Sequence, residues 1–176
     1  MQKKINIFKK IRAISTIALI FSFFIGCGYR FVGSYALSLP KNAKKLTIEK
    51  ISNPTTDPTL SQTVRSIIID EFSKRDNTIE WTTKQNADAK LVVDIVEYSK
   101  NTFIEDPDKN TLKSNLCIIV RFYLFDKEDK LLYDSKNIQK CESIGEAGSN
   151  RSESDAKTKI IQDAIRQMIF GLDAGF

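Results

Sequence analysis

Ten consecutive residues late in the chain, Leu116-Cys117-Ile118-Ile119-Val120-Arg121-Phe122-Tyr123-Leu124-Phe125, constrain the fold most. Read as a strand, with side chains alternating between faces, the run puts Leu116, Ile118, Val120, Phe122 and Leu124 on one face. Cys117, Ile119, Tyr123 and Phe125 fall on the other, broken only by Arg121. Such a strand belongs inside a sheet. Two segments carry apolar stripes at helical spacing: Leu60, Val64, Ile67, Ile68 and Phe72, then Ala156, Ile160, Ile161, Ala164, Ile165, Met168, Ile169 and Leu172. A one-sided helix must bury its stripe against another layer. Further strands are read at Leu46 to Ile51, Ile79 to Thr82, Lys90 to Thr102 and Leu131 to Cys141, with hairpin turns at Lys127 to Lys130 and around Pro107-Asp108. Asp57 followed by Pro58 opens the first helix as cap and first-turn proline. Ser152 with Asp155 three residues on opens the last.

The order β-α-β-β-β-β-α predicts an α+β fold with two helices packed on one face of a four- to five-stranded mixed sheet. Two helices cover only one face. In the Lys90 to Thr102 strand, strict alternation sets Val92, Val96 and Tyr98 opposite Leu91, Val93 and Ile95. The second face therefore needs partial cover, either from the N-terminal segment (Tyr29, Phe31, Tyr35, Leu37), from a crossing loop, or from a protein or lipid partner.

The start of the chain is not part of that fold. Lys3, Lys4, Lys9, Lys10 and Arg12 precede a 13-residue apolar run, Ala13 to Ile25, which ends at Gly26 and Cys27. A basic segment, a short apolar segment and a small residue before the cut mark a secretory signal. The run is shorter than the roughly 20 apolar residues a membrane-spanning helix needs. Phe24-Ile25-Gly26-Cys27 resembles the lipobox of bacterial lipoproteins, with Phe24 where that motif usually has Leu. The reading is a signal peptide over 1–26, a tether over 27–44 whose Cys27 is acylated, and a single α+β domain over 45–176.

Cleavage resets the charge argument. The chain has 27 basic and 22 acidic residues, and the five excess cations all lie in the signal. The remaining 150 residues, Cys27 to Phe176, are formally neutral. Nucleic-acid binding through a net basic face is thereby excluded as a reading. There is no histidine, which removes the commonest general base and metal ligand. No triad, no H-E-x-x-H, no C-x-x-C and no P-loop is present, so neither an enzyme nor a cofactor or metal site is expected. Cys117 and Cys141 remain as an even pair in an oxidising compartment. A hairpin around Lys127 to Lys130 pairs residues whose numbers sum to 257 or 258. The second register sets the two cysteines face to face, within disulfide reach. The first turns them to opposite faces.

Taken together, Cys27-Gly28-Tyr29-Arg30-Phe31, Leu39-Pro40, the strand Leu46 to Ile51, Ser52-Asn53-Pro54-Thr55, Asp57-Pro58-x-Leu60 and the final helix from Asp155-Ala156 through Met168 resemble the LptE family of lipopolysaccharide-assembly lipoproteins. The resemblance implies an outer-membrane lipoprotein on the periplasmic side, held by its lipid anchor. It implies that the protein plugs an LptD-type β-barrel, helps it fold and assists lipopolysaccharide insertion. Lys109 and Lys113 at a hairpin end, with Lys157 and Lys159 on the last helix, are candidate contacts for lipopolysaccharide phosphates. The competing reading is a periplasmic lipoprotein binding module, either a cell-wall synthase activator or an auxiliary subunit of a lipid transporter or secretion pore.

Overall fold

The computed structural model describes residues 37–106, 111–144 and 150–174. Cys27 and Lys109 lie outside them, as do the side chains of Lys113 and Ser152. Among the described residues, six strands and two α-helices follow in order: β1 (Lys45–Ser52), α1 (Leu60–Arg75), β2 (Glu80–Trp81), β3 (Ala89–Asp106), β4 (Thr111–Asp126), β5 (Leu131–Asp134), β6 (Ile138–Ile144) and α2 (Asn150–Ala174). The sheet is mixed, in the order β2-β1-β3-β4-β5, with β6 also on β4. β1 runs parallel to β2 and β3, whereas β3, β4 and the return strands are antiparallel. This is the expected α+β sandwich, with both helix stripes on one sheet face. Leu91, Val93, Ile95, Leu116, Ile118, Val120, Phe122 and Leu124 face Leu60, Ile68, Phe72, Ile160, Ile161 and Ile165 in one core. Each such side chain contributes roughly 1.5–3 kcal/mol through burial.

The return strand is split in two. β5 pairs with β4 at sums of 256 and 257, and β6 at 258. The slip is taken up at Ser135 to Asn137, where Lys136 has a φ of 57°. Before it, Asp126 holds the β4–β5 turn: its Oδ1 accepts the Glu128 and Lys130 amides at 2.8 and 2.9 Å.

A β-bulge at Val96 corrects the expected alternation in β3. Ile95 pairs with Val120 but Glu97 pairs with Ile119, so Val96 is extra. One inserted residue reverses which face the following side chains take. Tyr98 therefore turns to the helix side, opposite Ile118, while Val96 is left 49% exposed.

The segment before β1 is packed. Leu37, Leu39, Pro40 and Ala43 are buried. The Leu37 amide donates to Asp76 Oδ2 at 2.9 Å, at the end of α1, and the Ser38 amide to Asp173 Oδ1 at 3.4 Å, near the end of α2. Lys41 Nζ reaches the buried Asp126 at 2.6 Å. This strap belongs to the helix-side core, so Leu37 does not cover the second sheet face.

Candidate functional site

The Asn-Pro-Thr-x-Asp-Pro loop between β1 and α1 is shaped by local hydrogen bonds. Asn53 Oδ1 accepts the Thr55 amide (3.1 Å) and hydroxyl (2.6 Å), and Asn53 Nδ2 donates to the Asp57 carbonyl (2.8 Å). Asp57 Oδ1 accepts the Thr59 amide (2.9 Å) and hydroxyl (2.7 Å). Asp57 thus caps the entering turn, although regular helix begins only at Leu60. Its other oxygen takes Lys157 Nζ of α2 at 2.7 Å. The Lys157 hydrogen bond, then the Thr59 hydroxyl, hold the Asp57 carboxyl down at about 2. Lys157 also lies 5.7 Å from the centre of the Tyr98 ring. Burial pushes the Tyr98 hydroxyl up to about 12, and its oxygen has no partner among the described residues. The loop motif thus locks the starts of both helices to the bulged part of β3.

The sheet face away from the helices carries a strip of half-buried and exposed apolar side chains: Val92, Val96, Ile119, Tyr123, Phe125 and Leu131. Tyr123 and Phe125 stack at 6.2 Å between ring centres. The charges around the strip neutralise one another. Arg121 grips Asp134 through two bonds of 2.8 and 2.6 Å and lies over the Tyr123 ring. Lys136 adds a third bond to Asp134 at 2.7 Å. The Arg121 hydrogen bond leads in holding the Asp134 carboxyl well below the usual range. Lys90 pairs with Asp129, and Lys84 with Glu49. Cys117 and Cys141 face each other on this side, in the register whose numbers sum to 258. Their Cα atoms are 4.1 Å apart and the sulfurs are bonded.

The candidate phosphate contacts do not form one cluster among the described residues. Lys157 belongs to Asp57, and Lys159 Nζ pairs with Glu142 Oε1 at 2.6 Å. The backbone of Lys113 lies in β4 opposite Phe103. Periodicity could not have revealed the pairing of buried Glu71 (6% exposed) with exposed Arg166, joined at 2.7 and 3.2 Å across the two helices. Both residues look like ordinary surface charges on their own helices. Among the described residues no three His, Cys, Asp or Glu side chains could hold a metal ion, and no helix is long and apolar enough to cross a membrane.

Solved structures share this fold. A solved lipoprotein from Caulobacter crescentus superposes with a TM-score of 0.53 at 14% identity, covering 73% of this chain and 88% of its own. The solution structure of lipoprotein B from Nitrosomonas europaea gives 0.52 at 14% identity, covering 85% and 92%. A Xanthomonas campestris protein gives 0.51 at 8% identity, covering 82% and 97%. At these identities the likeness is one of fold. No curated protein sequence matches. The family model described as "LptE: Lipopolysaccharide-assembly" matches residues 43–170, from the end of the strap to the last turns of α2. The chain is a member of the LptE family of lipopolysaccharide-assembly proteins.

Proposed function

We propose that this protein is a non-catalytic outer-membrane lipoprotein, acylated at Cys27, that plugs and helps assemble an LptD-type β-barrel translocon and assists lipopolysaccharide insertion into the outer leaflet. The family match over 43–170 carries this reading. The site supports it in two ways. The exposed chemistry is that of a docking surface, an apolar sheet face whose neighbouring charges are already paired. The packed strap also leaves only a short run of chain between the acylated residue and the domain.

Of the four candidate lysines, Lys157 and Lys159 would have to exchange a carboxylate partner for a phosphate. Charge reversal at each of the four lysines in turn, read by lipopolysaccharide binding, tests phosphate contact.

Depletion of the protein is expected to lower the amount of correctly folded translocon and to make the outer membrane permeable to large antibiotics. A pull-down from detergent-solubilised envelopes should be dominated by a large β-barrel. A cell-wall synthase or a lipid transporter in its place, with normal barrel levels, would establish the binding-module reading instead.

A further inference from the structure

At the C-terminal ends of the two helices lies a cavity of about 300 Å³, lined by Glu71, Lys74, Arg75, Arg166, Ile169 and Phe170. Its wall holds three cations against one carboxylate, and that carboxylate is engaged by Arg166 and Lys74. The acids that pair with these cations from outside are Asp70, Asp163 and Asp173, on exposed or half-exposed helix surface. Pairs in that setting are worth little. Arg75 Nε is buried without an acceptor among the described residues. Phe170, on the rim, is 71% exposed, the most of any large apolar side chain described.

The strap fixes where this cavity sits. Asp173, which takes Arg75 Nη2 at 3.1 Å, also accepts the Ser38 amide. Leu37 is bound to Asp76 at the end of α1. Leu37, the first residue described, thus lies beside the cavity. Leu37 follows Cys27 by ten positions, a span of at most about 35 Å when fully extended.

We infer that this end of the domain rests on the phospholipid leaflet that holds the anchor, with Phe170 inserted among the headgroups and Lys74, Arg75 and Arg166 contacting lipid phosphates. The inference rests on the acylated anchor proposed above. An aromatic ring at the headgroup level with arginine and lysine around it is a favoured interfacial arrangement.

The test uses the acylated protein in vesicles of phosphatidylethanolamine and phosphatidylcholine, with and without phosphatidylglycerol. The chain has a single tryptophan, Trp81, which stacks edge-on against Phe72. A Trp81→Phe, Phe170→Trp variant therefore reports on position 170 alone. Its emission should shift to the blue, be quenched by brominated acyl chains, and be quenched more when phosphatidylglycerol is present. Lys74→Gln with Arg166→Gln should weaken the phosphatidylglycerol effect, by roughly fivefold in partitioning per unit of positive charge lost. Glu71→Gln is added so that no buried carboxylate loses its partner, and an unchanged urea midpoint confirms the fold. Absence of quenching, a phosphatidylglycerol effect undiminished in the charge variant, or a photo-crosslink from position 170 to a barrel protein rather than lipid would each overturn the inference. Fractionation of Cys27→Ser reports on the anchor separately. If the Phe170→Trp emission stays unquenched in a protein that still fractionates with the outer membrane, the resting face is refuted and the anchor stands.

Discussion

Single residues carry much of the coupling between elements. Asp57 joins the β1–α1 loop to α2 through Lys157, and its carboxyl sits at about 2 instead of 3.8. A carboxyl depressed on folding stabilises the native state above its unfolded value, and that contribution fades as pH falls through the folded value. Asp57→Asn is therefore expected to lower the thermal midpoint at pH 7. The gap from the parent should shrink steadily between about pH 4 and pH 2. A gap independent of pH would show that the ion pair does not matter and that only the turn geometry does. Cys117 and Cys141 act at the same scale. In protein purified from the periplasm no free thiol should titrate, and Cys117→Ser with Cys141→Ser should cost about 3 kcal/mol on the loop-entropy model. Two titratable thiols would show that the bond is not made in the cell.

At the scale of elements, irregularities do the positioning. The bulge at Val96 turns Tyr98 under Lys157, and the break at Ser135 to Asn137 brings β6 into the register that sets the cysteines opposite each other. Had β5's register of 257 continued unbroken, the cysteines would have faced opposite ways. In α2, Gly171 shows packing overriding local preference. Alanine is favoured over glycine in a helix by about 1 kcal/mol. Yet a methyl group at 171 would meet the Tyr133 hydroxyl at 2.3 Å. Gly171→Ala is expected to destabilise the domain by about 1–3 kcal/mol in urea unfolding. Adding Tyr133→Phe should recover much of that loss. If Gly171→Ala alone stabilises the protein, the β5–α2 contact is looser than its geometry shows.

For the whole molecule, the two sheet faces have different duties. One is sealed by α1, α2 and the strap. The other keeps Val96 and Leu131 about half exposed among self-paired charges. If that open face meets the barrel, Tyr123→Glu with Phe125→Glu should leave the isolated domain folded, because both side chains are only half-buried. Co-purification with the barrel should fall at least about tenfold, as for a desolvated aromatic anchor worth upwards of 2 kcal/mol. Undiminished co-purification of a folded variant would move the barrel contact to the helix side.

The apolar run of β4 and the stripes of α1 and α2 were readable because burial on one face imposes a period, two for a strand and 3.6 for a helix, and the sequence alone specifies those periods. The family was readable for a related reason. Most hydrogen bonds of the Asn53 to Thr59 segment are local, so its residue types and spacing stay together in the chain. Whatever depends on partners distant in the chain was not readable. The Glu71–Arg166 pair spans 95 positions, and the Asp57–Lys157 pair spans 100. The bulge at Val96 is a mismatch of length between two strands, invisible in either one alone. The cysteines illustrate the division. Counting residues across the hairpin left two registers open, one of which turns the side chains apart. Only the assembled sheet, with its slip at the β5–β6 break, chose between them, because register is decided by which neighbouring faces bury together.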